Sequence, residues 1–153
     1  MKKDQISVEM QIVSSMHKLV YRLDREADAD LHTELNISFH QFMILMVSRS
    51  WKNPTQQVIA KQLNISAGAL SRQVDTLVQK GLITRTQNKE NRREQHLRAT
   101  AQGVEVSDQA YHILNAGLEK LFSCLTKTEQ SQLTVMLQKL DAFNGGSEED
   151  PCQ

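Results

Sequence analysis

Between Ser66 and Gln73 the chain sets hydroxyl, guanidinium and amide groups among very small residues: Ser66, Ala67, Gly68, Ser71, Arg72 and Gln73. Small side chains let a backbone approach a ligand closely, and the polar groups offer donors and acceptors to base edges or phosphates. Further along, Lys89, Arg92 and Arg93 concentrate positive charge. Asp75 reads as a structural brace tying its segment to Arg85 or to an arginine of the second cluster, and it is also the competing partner for Arg72. The chain is neutral overall, with 18 basic and 18 acidic residues, but the balance is uneven. Residues 61–98 hold eight basic against three acidic, a net of +5. Residues 1–60 are balanced, seven against seven, and residues 99–153 stand at −5, three against eight. A basic centre between neutral and acidic flanks implies that the middle of the chain faces a polyanion.

Other chemistries find no support. There is no nucleophile–base pair, no suggestively spaced carboxylate pair, no glycine-rich phosphate loop and no metal motif, so an enzyme is not expected. His17, His32, His40, His96 and His112 show neither HxxxH nor HExxH spacing, and no metal or cofactor is expected. Cys124 and Cys152 lack CxxC spacing, which excludes a zinc knuckle and a disulfide framework. Lys120 and Lys127 near Cys124 would favour its thiolate, but a buried or half-buried structural thiol is the expectation. The longest apolar run, Phe42 to Val47, is too short to span a membrane, and no apolar leader follows Lys2-Lys3. A cytoplasmic protein with reduced thiols is expected.

The elements that would position these residues are mostly helices. A first helix is expected from about Ile6 to Asp30, striped by Ile6, Met10, Val13, Met16, Val20, Leu23 and Ala27. A second starts at Ser38, with Ser38 and Gln41 at capping-box spacing, and ends before Asn53-Pro54. Thr55 caps a short helix over Gln56–Leu63 that turns Val58, Ile59 and Leu63 inward. After a tight turn at Asn64-Ile65, Ser66 caps a helix over Ala67–Lys80 that buries Leu70, Val74, Leu77 and Val78 and ends at Gly81. Residues 82–86 and 94–98 read as a hairpin with a charged tip. Thr100 caps a long helix with a stripe from Val104 through Ser107, Tyr111, Leu114, Leu118 and Leu121 to Leu125. Thr126 and Glu129 form a second capping box before Leu133, Met136, Leu137, Leu140 and Phe143. Met10, Met16, Met43, Met46 and Met136 are expected in the core.

Two short capped helices joined by a turn make a helix-turn-helix, whose second helix enters the DNA major groove. Three stretches then resemble the winged helix-turn-helix of the multiple-antibiotic-resistance regulator (MarR) family. They are Ile37-Ser38-Phe39-His40-Gln41-Phe42, Gln57-Val58-Ile59-Ala60-Lys61-Gln62-Leu63, and Leu77 through Arg85. Asn91-Arg92-Arg93, followed by Thr100 and Gly103, fits the same pattern. The chain departs from it at Asn91, where the family usually has Asp, and at Ala99, where it usually has Leu.

The resemblance implies a mainly α fold with a small β-wing, flanked by N- and C-terminal dimerisation helices. The corresponding regions are a dimerisation helix over 1–35, a winged helix-turn-helix over 36–100, further dimerisation helices over 101–145, and an acidic flexible tail over 146–153. It further implies a homodimer on a palindromic double-stranded DNA site, acting as a repressor and released by a small aromatic or phenolic effector. His17, Tyr21, Arg25, Met43, Met46 and Tyr111 are the candidate effector pocket; the competing reading is that they close an interdomain core. The rival functions are a winged-helix protein-interaction module and a redox- or metal-responsive regulator.

Overall fold

The computed structural model describes residues 6–87 and 94–145. The order is α1 (Val8–Leu35), α2 (Phe39–Ser50), α3 (Gln56–Gln62), α4 (Ala67–Gln79), β1 (Ile83–Gln87), β2 (Gln95–Ala99), α5 (Ala101–Phe122) and α6 (Lys127–Phe143). Two compact units divide the chain between Phe39 and His40.

The first unit is essentially α1. Ser7 caps it, its hydroxyl accepting from Met10 N, and Asn36 closes it in the left-handed conformation at φ 53°. The helix runs past the expected end at Asp30, because Leu31 and Leu35 continue the four-residue steps from Ala27. Just beyond it, the Phe39 backbone N–H donates to Asp28 Oδ1 at 2.6 Å. Leu31 and Ile37 are buried, whereas Ile6, Met10, Val13, Met16 and Val20 remain exposed along the stripe.

In the second unit the core collects Ile44, Leu45 and Val47 of α2, Ile59 of α3, Leu70, Val74 and Leu77 of α4, and Ile83 and Leu97 of the hairpin. Thr55 and Ser66 cap α3 and α4, accepting from Val58 N and Ala69 N at 3.2 Å each. Asn64, at φ 50°, makes the turn between them. Two inward assignments are corrected: Val58 and Val78 are exposed, and Ala60 takes the buried place on α3. Each displaced valine is one residue off the face its helix turns inward.

Gly81 ends α4 at φ +71°, with Gly81 N bonded to Val78 O and Leu82 N to Leu77 O. These bonds form a Schellman motif that needs a left-handed residue. The motif takes up Leu82, which shifts the hairpin one residue from its expected start. The ladder therefore pairs Ile83 with Ala99 and Gln87 with Gln95, antiparallel.

Thr100 caps α5, accepting from Gly103 N at 3.0 Å while its own hydroxyl donates to Gly81 O at 2.7 Å. A Cβ on Gly103 would stand 2.0 Å from Leu82 O, so only glycine admits this approach of α5 to the hairpin. The buried face of α5 is Gly103, Ser107 and Ala110, whereas Tyr111, Leu118 and Leu121 of the expected stripe are exposed. The Thr126–Glu129 capping box opens α6, which buries no residue at all. Met10, Met16 and Met136 are thus exposed in the single chain, contrary to expectation, and Met43 and Met46 are half-buried. Among the described residues no helix is long and apolar enough to cross a membrane.

Candidate nucleic-acid interface

The interface is built outward from α4. Leu70, Val74 and Leu77 anchor one side of the helix in the core, which turns Gly68, Arg72 and Asp75 to solvent. Ser66 and Ala67 are exposed at its start and Ser71 is half-buried. A Cβ on Gly68 would meet nothing within 4 Å, so the first turn is open to an approaching surface. The first N–H groups of a helix have no intrahelical partners and favour an anion placed there. The starts of α3, α4 and β2 open onto one cleft of about 420 Å³, lined by Thr55, Gln56, Gln57, Ala60, Ala67, Glu94 and Gln95.

Polar links at three places hold this face. Arg85 Nη2 on β1 donates to Asp75 Oδ1 at 2.7 Å, joining the hairpin to the outer side of α4. At the base of the hairpin, Arg98 Nη2 donates to Asn53 Oδ1 and His96 Nδ1–H donates to Asn53 O, both at 2.8 Å. Leu97 N adds a bond to Pro54 O at 3.0 Å, so the loop before α3 becomes a third edge of the sheet. Finally, Gln73 is half-buried and accepts from Gln41 Nε2 of α2 at 2.9 Å. Of the two partners that sequence reasoning offered Asp75, Arg85 is the one in contact with it. Sequence reasoning missed Asn53, His96, Arg98 and Gln41, because these partners are 32 to 45 residues apart and share no periodicity.

The MarR family profile matches residues 37–95, which is the span from the end of α1 to β2. The multiple antibiotic resistance protein MarR of Escherichia coli is 28% identical over 127 residues, covering 80% of this chain and 88% of its own. Over residues 37–95 the chain is similar to the MarR family. A crystal structure of a cysteine-to-serine variant of E. coli MarR, complexed with operator DNA, superposes with a TM-score of 0.78 at 27% identity, over 90% of this chain and 99% of that one. The organic hydroperoxide resistance transcriptional regulator of Bacillus subtilis is 26% identical over 140 residues, covering 88% of this chain and 95% of its own. The named relatives are transcriptional regulators rather than enzymes.

The remaining expected residues separate into three groups. Lys89, Arg92 and Arg93, like Asn91, lie outside the described residues. His17, Tyr21 and Arg25 are exposed on α1 in the first unit; Met43 and Met46 are half-buried on α2 and Tyr111 is exposed on α5 in the second. Cys124 is exposed, not buried as expected, because it follows the C-terminus of α5, where its thiol donates to Leu121 O at 3.2 Å. Among the described residues, no group of His, Cys, Asp and Glu could hold a metal ion.

Proposed function

We propose that this protein is a DNA-binding transcriptional regulator that sits on a two-fold symmetric operator as a homodimer, represses from it in the cytoplasm, and leaves it when a small aromatic or phenolic ligand binds. The observation that carries the reading is the exposed polar face of α4, braced by Asp75–Arg85, in a chain that superposes on an operator-bound MarR over nine-tenths of its length. In this reading Ser66, Ala67, Gly68, Ser71 and Arg72 meet the major groove. Lys89, Arg92 and Arg93 reach phosphates or an adjacent minor groove.

The dimer is supported by apolar side chains that the single chain leaves uncovered. Leu133, Met136, Leu137, Leu140 and Phe143 are exposed on α6, and the stripe of α1 is exposed as well. Contiguous apolar surface on this scale marks an interaction face, and a second copy of the chain supplies the same stripes in return.

Selection of duplexes from a random library, followed by gel shift at fixed salt, tests DNA recognition directly. A two-fold symmetric sequence is expected; retention of no sequence over another would favour a protein-interaction module. Ligand release is tested on the same complex. Salicylate-like anions at millimolar concentration are expected to weaken binding, and Arg25→Ala or His17→Ala to blunt that response. An effect of peroxide or zinc without any effect of aromatic acids would move the sensor to Cys124 or the histidines.

A further inference from the structure

Half of the twelve residues of α2 are buried, and two of these, Gln41 and Ser48, are polar. A buried amide destabilises the fold unless it finds a hydrogen-bond partner. Gln41 Nε2 finds one in Gln73 Oε1, on the helix that carries the DNA-facing residues. At about 100° per residue, Gln73 falls beside Leu70, Val74 and Leu77 and away from the face of Gly68, Arg72 and Asp75. Its acceptor is engaged from behind, whereas a glutamine reading adenine presents donor and acceptor together. The far end of α2 is fastened too: Arg49 Nη1 donates to the buried Ser107 Oγ at 2.8 Å and pairs with Asp108, both on α5. Apolar contacts are non-directional, so Leu70, Val74 and Leu77 fix the depth of α4 more firmly than its roll. A hydrogen bond is directional and fixes the roll.

We propose that α2 is a tie between α5 and the recognition helix, and that Gln41 and Gln73 are positioning residues: Gln73 holds α4 from behind and reads no base. This departs from the sequence expectation, which grouped Gln73 with the DNA contacts, and it rests on the reading that α4 enters a DNA groove. The pair acts through Arg72 and its neighbours, which present one orientation to the groove only while the roll of α4 is held.

The test uses the full-length protein and the duplex that the wild type selects from a random library. Gln41→Met and Gln73→Met remove the hydrogen bond while keeping side-chain bulk. Each is expected to lower the ratio of affinities for selected and unrelated duplex by about three- to tenfold, the range spanned by one net hydrogen bond. The pattern of base preferences should persist, and the double variant should lose no more than the worse single one, since the two share one interaction. The proposal is overturned if Gln73→Met relaxes the preference at one base-pair position while Gln41→Met is silent, or if the two losses add. Thermal unfolding separates misfolding from misplacement. Should the α2 core not tolerate methionine, Arg49→Gln at its exposed end is expected to lower the same ratio by about twofold; an unchanged ratio overturns the tie to α5. A wild type that selects no sequence at all defeats the DNA reading itself, which is a different result from either.

Discussion

The stretch from α2 to β2 and the helix α6 draw on the same apolar residues, yet the single chain treats them oppositely. Ile44, Leu45, Ile59, Leu70, Leu77 and Leu97 are fully buried, while α6 buries nothing and leaves Phe143 94% exposed. The stripe of α6 is no less regular than that of α4. Regular spacing therefore says that a face will be covered, and burial within the chain says whether the chain covers it itself. The winged region covers its own apolar face, whereas α6 is covered only in the homodimer proposed above.

The sharpest way to break this contrast is to charge the uncovered face. Leu137→Asp combined with Leu140→Asp is expected to turn a dimer into a monomer by sedimentation. It should also weaken operator binding on the order of a hundredfold, because two half-sites held together bind with avidity. The spectroscopic helix content of the winged region should survive. A wild type that sediments as a monomer removes the contrast altogether.

Damage to the covered side should look different. Leu97→Ala, at a fully buried position, is expected to destabilise the fold by about 2–5 kcal/mol through lost burial and a residual cavity. Its stability loss in denaturant should not vary with protein concentration, whereas that of Leu140→Ala should. Equal concentration dependence for the two would put both residues in one interface.

A third measurement separates folding from binding. Arg93→Ala is expected to leave thermal stability unchanged and to weaken operator binding about tenfold or more. The log–log salt slope of the wild type should be about −5 to −7, and should shrink by about three to four when Arg92 and Arg93 are both removed from two subunits. A double variant that binds as tightly as the wild type takes the wing out of the interface.

The smallest effect concerns the start of α6. The Thr126 backbone N–H, and then its side chain, hold the Glu129 carboxyl below the usual glutamate value of 4.5. A carboxyl with a lowered folded-state pKa stabilises fully above its unfolded value, and that contribution fades as pH falls through the folded one. Acidification below the usual glutamate value of 4.5 should therefore progressively fray the first turn of α6. Glu129→Gln retains an acceptor for the Thr126 N–H and should remove the pH dependence, as read by amide exchange of residues 127–130.

Much of the winged region was legible because its signals are local. Thr55, Ser66, Thr100 and Thr126 cap helices within four residues of themselves, and each does so in the structure. A brace at Asp75 was legible from its charge, but the choice of Arg85 over an arginine of the wing was not. What escaped depends on non-local geometry. The Schellman motif at Gly81 shifted the hairpin by one residue, and Val58 and Val78 faced out because a seven- or thirteen-residue helix shows its inner face only once packed. The links from Gln41 to Gln73, Arg49 to Asp108 and Asn53 to Arg98 span 32, 59 and 45 residues and leave no trace in spacing. The exposed stripes of α1 and α6 were read correctly as apolar faces, but spacing alone does not name the occupant.

The contact at Gly103 has a mechanical consequence. Most joints between helices run through side chains, which can change rotamer and absorb a displacement of a few tenths of an ångström. Where α5 meets Leu82 the meeting is main chain against main chain, with Thr100 bonded on one side to Gly81 and Leu82 and on the other to Gly103. Such a joint has no slack. The root of α5 is thus joined to the hairpin and to the end of α4 through backbone contacts rather than through side chains that could change rotamer.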